Sequence, residues 1–179
     1  MDRNIKILHD SFPRSGNHFL EECLKMAFTN AEITWGFHKV HLLNNKDYDG
    51  IITSVRDPIN CISSYMVLTN NFDKEYAKKV ILWYKRFISE TIKIKNNIYV
   101  CNFYDLIEYP EIIIKNFAKK YNITASGKID KIVAIKNIKD DSSFVHKSNE
   151  KDKEFAKAII LNYEEDIKEC IELYKNAIF

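Results

Sequence analysis

The chain has 179 residues, 46% of them hydrophobic, and sets 27 Lys plus Arg against 25 Asp plus Glu for a formal charge of +2. That length fills one core and is short for two ordinary domains, so a single domain over residues 1–179 is expected. So small a net charge gives no one-signed field, which excludes nucleic acid and an anionic membrane surface as default partners and leaves a small anionic ligand open.

In chain order, the opening segment MDRNIKILHD is charged and lacks an apolar signal core, and no later run approaches membrane-spanning length. The expectation is a protein with no membrane span, in a reducing, cytoplasmic setting. Residues Asn4 to Phe12 alternate over the length of a strand, and Phe19, Leu20, Cys23, Leu24, Ala27 and Phe28 then recur at helical spacing. A second short strand is expected around Ile33 to Phe37. GIITSV, Gly50 to Val55, is a continuous apolar run of the kind buried in parallel sheets. Asp57 can cap and Pro58 can open a helix over Ile59 to Leu68, and Lys74 to Lys95 carries a longer helical pattern. Its Trp83, Tyr84 and Phe87 read as core and boundary residues rather than as a stacking platform.

NIYVCNF, Asn97 to Phe103, is the next buried strand, Pro110 to Tyr121 returns to a helical period, and Lys151 to Tyr174 is a charged amphipathic helix. The polar stretch between the last two shows no clear element. Strands alternating with helices predict an α/β fold, a P-loop-like three-layer α/β/α arrangement around a mainly parallel sheet. Cys23, Cys61, Cys101 and Cys170 form no C-x-x-C pair and read as small core residues. His9, His18, His38, His41 and His146 lack metal-ligand spacing and companions, so no metal is expected.

Two stretches carry chemistry. In HDSFPRSGNHFL a helix starts directly after a strand, where unpaired N–H groups and the peptide dipoles favour an anion. Gly16 lets the backbone curl around a phosphate, Arg14 can fork onto its oxygens, and Ser15 and Asn17 add polar contacts. The alternative is an ordinary turn with a solvated Arg14. G-x-x-x-x-G-K-[ST] is absent, which counts against a P-loop-type kinase, and so is the dinucleotide fingerprint G-x-G-x-x-G. In SVRDPINCISSYM an arginine, Arg56, again ends a buried strand, with Ser64 in the helix that follows. Two arginine-plus-hydroxyl sites at one sheet edge suit a ligand with two separate phosphates; the alternative for Arg56 is an ion pair with Asp57 or another acid.

FPRSGNHFL resembles the 5′-phosphosulfate-binding loop of the sulfotransferases, and VRDPINCISSY resembles their 3′-phosphate-binding strand and helix. The resemblance implies 3′-phosphoadenosine 5′-phosphosulfate (PAPS) as sulfate donor, adenosine 3′,5′-bisphosphate (PAP) as product, and no metal. Pro13, Arg14, Ser15 and Gly16 match the family's P-[KR]-S-G-T-T-W, while Asn17, His18 and Phe19 stand for Thr, Thr and Trp, keeping an aromatic wall. HKVHLL is similar to the family's K-T-H-L-P-like segment, which implies His41 as general base, with His38 the competitor; the alternative is a loop histidine that bonds only backbone. FYDLIEYP is similar to the Y-E-D-L segment near the adenine and puts Tyr104 beside the base. FVHKS is similar to the F-x-R-K-G segment, but its G-D-W continuation is absent, so the second clamp on the 3′-phosphate is reduced to Lys147 or lost.

The resemblance therefore implies an enzyme that moves a sulfuryl group to a hydroxyl or amine of a small-molecule or glycan acceptor by in-line displacement, with positioning and charge stabilisation dominant. His41 has the pKa range of a base near neutral pH. Arg14 stands where many relatives carry lysine; it can clamp the leaving phosphate but is a poor proton donor. The alternative is a nucleotide-binding protein of the same fold without turnover.

Overall fold

A strand apolar on both faces needs cover on both, and that demand sets the architecture. In the computed structural model of the protein, which describes residues 4–140 and 150–179, four strands form one parallel sheet. They are β1 (Ile5–His9), β2 (Ala31–Trp35), β3 (Gly50–Val55) and β4 (Tyr99–Asn102), in the order β2-β1-β3-β4. β1 and β3 are the inner pair, in a register that sets Ile7 opposite Gly50 and His9 opposite Ile52.

The described helices are α1 (Asn17–Ala27), α2 (Pro58–Leu68), α3 (Lys74–Ile94), α4 (Phe103–Glu108), α5 (Pro110–Tyr121), α6 (Lys131–Asp140), α7 (Glu150–Ile160) and α8 (Glu164–Ile178). Ile7 and Ile52 point into one apolar cluster with Phe19, Leu20 and Leu24 of α1 and Ile114 and Phe117 of α5. Their chain neighbours Leu8 and Ile51 point into the other, with Ile62 and Met66 of α2, Tyr84 and Phe87 of α3, Ile160 of α7 and Cys170 of α8. Side chains alternate across a strand, so one sheet carries two cores and the fold is a three-layer α/β/α arrangement. Tyr84 and Phe87 are fully buried and Trp83 packs at the margin of the same cluster.

The structure departs from the expected elements at several places. β1 stops at His9, which leaves Asp10, Ser11 and Phe12 as loop, and β2 starts at Ala31. The expected closing helix is split by a 3-10 turn, Leu161–Tyr163, where the Asn162 amide donates to the Ala158 and Ile159 carbonyls at 2.9 and 3.2 Å and closes α7. α4 starts straight from β4 because Asn102 Oδ1 accepts the Tyr104 N–H at 2.9 Å. α6 lies in the stretch that showed no pattern, started by Asp130 Oδ1 accepting from the Ile132 and Val133 amides. Among the described residues no helix is long and apolar enough to cross a membrane.

For the site the decisive point is topological. From β1 the chain leaves through α1 on one face of the sheet, and from the adjacent β3 through α2 on the other. Such a switch opens a crevice beyond the carboxyl ends of the two strands.

Candidate functional site

The loop from Asp10 to Gly16 has one turn of its own, the Ser15 N–H donating to the Phe12 carbonyl at 3.2 Å, and is otherwise held by short polar side chains. Ser11 Oγ accepts the Ser54 N–H at 2.9 Å and donates to Ser54 Oγ at 3.0 Å, and Ser54 Oγ in turn donates to the Ser15 carbonyl. On the α2 side, Cys61 Sγ donates to the Pro13 carbonyl at 3.1 Å and lies 3.2 Å from Ser15 Oγ. Burial pushes the Cys61 thiol up to about 12, so it stays protonated as a donor. The loop thus leans on β3 and α2, the elements that carry Arg56 and Ser64. Gly16, at φ 87°, opens α1 with no side-chain cap, and a Cβ there would stand 2.9 Å from the Phe103 ring. Glycine is required on both counts.

A cavity of about 470 Å³ opens at the switch point, within the usual size of a small-molecule site. Arg14, Gly16, Asn17, His18 and Phe19 from the loop and α1, Arg56 from the end of β3, and Phe103 from α4 all line it. Arg14 Nε donates to Ser64 Oγ at 3.0 Å, and Arg56 Nη1 donates to the Arg14 carbonyl at 2.9 Å. The Arg56 guanidinium lies 4.5 Å above the Phe103 ring. Ser64 therefore serves Arg14, where the sequence paired it with Arg56.

Neither arginine has an ion-pair partner among the described residues, and Asp57 is occupied elsewhere. Its carboxylate caps α2 on the Asn60 N–H at 2.9 Å and takes the Tyr104 hydroxyl. Burial, then the neighbouring Arg56 charge, lower the Arg14 pKa from its ordinary value. Arg56 Nε is buried with no hydrogen-bond partner. Two unneutralised like charges and an orphaned donor, on one wall of a cavity whose described lining has no carboxylate, fit an anion.

Other predicted residues fall in different places. Ser15 is fully buried, its hydroxyl turned to Cys61 rather than to the cavity. Asn17 spends its amide N–H groups on the Ser11 and Phe12 carbonyls, both at 3.3 Å, so it braces the loop. Phe19 lines the cavity while packed into the core with Ile7. Tyr104 is exposed and bound to Asp57 and Asn60, off the cavity, and Phe103 takes the wall position instead. Lys147 and the FVHKS segment lie outside the described residues.

The two candidate bases separate clearly. His41 sits exposed on a 3-10 turn, Val40–Asn44, and does not line the cavity. His38 does. It is set there by a turn in which Phe37 and His38 both adopt left-handed backbone, φ 53° and 63°. Each such residue costs about 1–2 kcal/mol, and the surrounding contacts hold them. Asp10 Oδ1 accepts the His38 N–H at 2.8 Å and the Ser11 N–H at 3.0 Å, and the Gly36 N–H donates to the His9 carbonyl at 3.0 Å. Gly36 has no room for a side chain: a Cβ would lie 2.7 Å from Asp10 Oδ2.

Around His38 the wall is aromatic. Trp35 stacks on Phe37 at 4.8 Å and meets His38 edge-on at 5.4 Å, and Trp83 meets His38 at 6.2 Å and Tyr65 at 5.6 Å. Trp35, Tyr65 and Leu68 line the cavity on this side. Asp10, Trp35, Tyr65 and Phe103 were not singled out from the sequence as site residues. The available signal was an aspartate, Asp10, directly after the residues of β1 and directly before the turn that holds Arg14 and Gly16.

No family model matches this chain, and no curated protein matches it in sequence.

Proposed function

We propose that the chain is a sulfotransferase that binds PAPS in this cavity and passes its sulfuryl group to an apolar hydroxyl acceptor. The observation that carries the reading is the pair Arg14 and Arg56, two cations without counter-charge among the described residues, presented to one cavity from the ends of adjacent parallel strands. Bound there, the donor supplies an activated sulfur–oxygen bond. Arg14 holds the phosphate that this bond leaves behind and Arg56 the donor's second phosphate, with charge fixed in place before the reaction. The first turn of α1 adds backbone N–H groups and the positive end of its dipole. Phe103, under Arg56, offers a ring face to the flat part of a nucleotide.

His38 replaces His41 in the base role because it is the candidate that faces the cavity. It takes the proton from the acceptor oxygen as that oxygen bonds to sulfur. Trp35, Tyr65 and Leu68 beside it offer area to an uncharged, flat molecule. The absence of a carboxylate among the described lining residues argues against a cationic amine.

The test is a thermal-shift comparison of PAP with ATP plus magnesium, followed by calorimetry on Arg56→Ala. PAP alone should raise Tm, since a ligand selective for the native state stabilises it. The substitution should weaken PAP binding by about 1.5–3 kcal/mol, the range for hydrogen bonds to charged groups. Stabilisation by ATP and magnesium but not PAP would favour a kinase, and PAP binding without sulfate transfer to any of a panel of phenols and alcohols would favour a binding protein.

A further inference from the structure

Asp10 is a fully buried carboxylate that the donor site does not use. It stands one residue past β1, behind the turn that carries His38, and its Oδ1 lies 3.9 Å from His38 Nδ1. That ring nitrogen is 2.6 Å from the Ser11 carbonyl. A carbonyl oxygen only accepts, so Nδ1 carries the proton and Nε2 keeps its lone pair. Free imidazole in water favours the opposite tautomer, so the protein imposes this one. The Ser11 carbonyl is itself placed by Asp10, which accepts the N–H of Ser11 as well as that of His38.

We infer that Asp10 is the positioning residue of this site: it holds His38 as the Nδ1–H tautomer with Nε2 available to accept a proton, and its charge stabilises the imidazolium that results. The inference rests on His38 being the base of the proposed reaction. The other titratable groups on the walls around His38 are His18 of α1, Tyr65 of α2, and Arg14 and Arg56 at the anion end, none of them anionic at neutral pH. Lys39 and His41 follow it in the chain, and from α3 the neighbour is Trp83, which does not titrate. Burial raises the pKa of Asp10 while the backbone N–H groups on it and the His38 charge pull the other way. The N–H groups that set the turn thus offset part of the burial that disfavours the charged carboxylate.

The test uses Asp10→Asn, which keeps an oxygen for the two backbone donors and removes the charge. Ring-15N NMR of the histidine-labelled protein, with the His38 signals identified by their loss in His38→Gln, reads the tautomer without any substrate. In the parent at alkaline pH the His38 proton should sit on Nδ1. In Asp10→Asn the share of the Nδ1–H tautomer should fall. In a sulfate-transfer assay the same variant should lose about tenfold or more in kcat with little change in the KM for PAPS, as for impaired general-base catalysis. A His38 proton on Nε2 in the parent overturns the inference, and so does an unchanged tautomer in a folded Asp10→Asn. If Asp10→Asn does not fold, the parent tautomer still decides. Because the NMR readouts need no donor, a protein that shows them yet ignores PAP would refute the proposed function and leave the Asp10–His38 assignment standing.

Discussion

At the scale of single residues, His9 is the most exacting demand in the fold. It is fully buried beside Trp35, 6.5 Å between near-parallel rings, and neither ring nitrogen has a hydrogen-bond partner. Burial first, then the charges of His18 and Lys25, lower its pKa to about 3. A lowered histidine pKa means that the unfolded chain binds the proton more readily, so this contribution to stability is whole above about pH 6.5 and drains away as pH falls toward 3. The full loss is on the order of 5 kcal/mol, offset in part by Asp10, whose raised pKa works in the opposite sense as its own proton goes on. His9→Leu should therefore show a flatter Tm-against-pH curve than the parent between pH 6.5 and 4, and parallel curves would refute the assignment. The same scale explains why His38 was harder to read from sequence than Arg14. Arginine and glycine at a strand-to-helix turn announce an anion site through residue type and spacing. The left-handed Phe37 and His38 are imposed by Asp10, remote in the chain, and neither residue type signals that backbone.

Among elements, α1 shows how a helix start is shaped by what packs over it. Gly16 lies under Phe103, the first residue of α4, so the loop before α1 and the wall that faces it are fitted to one another. Gly16→Ala should cost about 1–3 kcal/mol in chemical denaturation through its backbone alone, with the ring clash added. Combining it with Phe103→Leu should return part of that loss, and strict additivity of the two changes would refute the contact. The long periodic elements were legible: α5 has its expected bounds, and α3 and β3 differ from theirs by a residue at most. α4 and α6 were not, since each begins on a side-chain cap, Asn102 or Asp130, that carries more of its start than any apolar period. The swap of Ser64 from Arg56 to Arg14 was equally hidden, because it depends on how α2 leans toward the loop from the next strand.

For the molecule as a whole, the two apolar clusters share the sheet as a common wall. Ile7 and Leu8 are both fully buried and point to opposite sides of β1. Ile7→Ala and Leu8→Ala should each remove about 2–5 kcal/mol, and tryptophan fluorescence and circular dichroism should report one shared midpoint in both. Separate midpoints would mean that the layers melt independently. The order β2-β1-β3-β4 also has a kinetic meaning. β1 is made first but gains its second partner only when the chain has come back from the edge strand, so loop closures come before the pairing that brings the two guanidinium groups to one wall. Under the proposed function, affinity for PAP should then emerge during refolding from denaturant with the slowest cooperative step, after helical signal has already recovered.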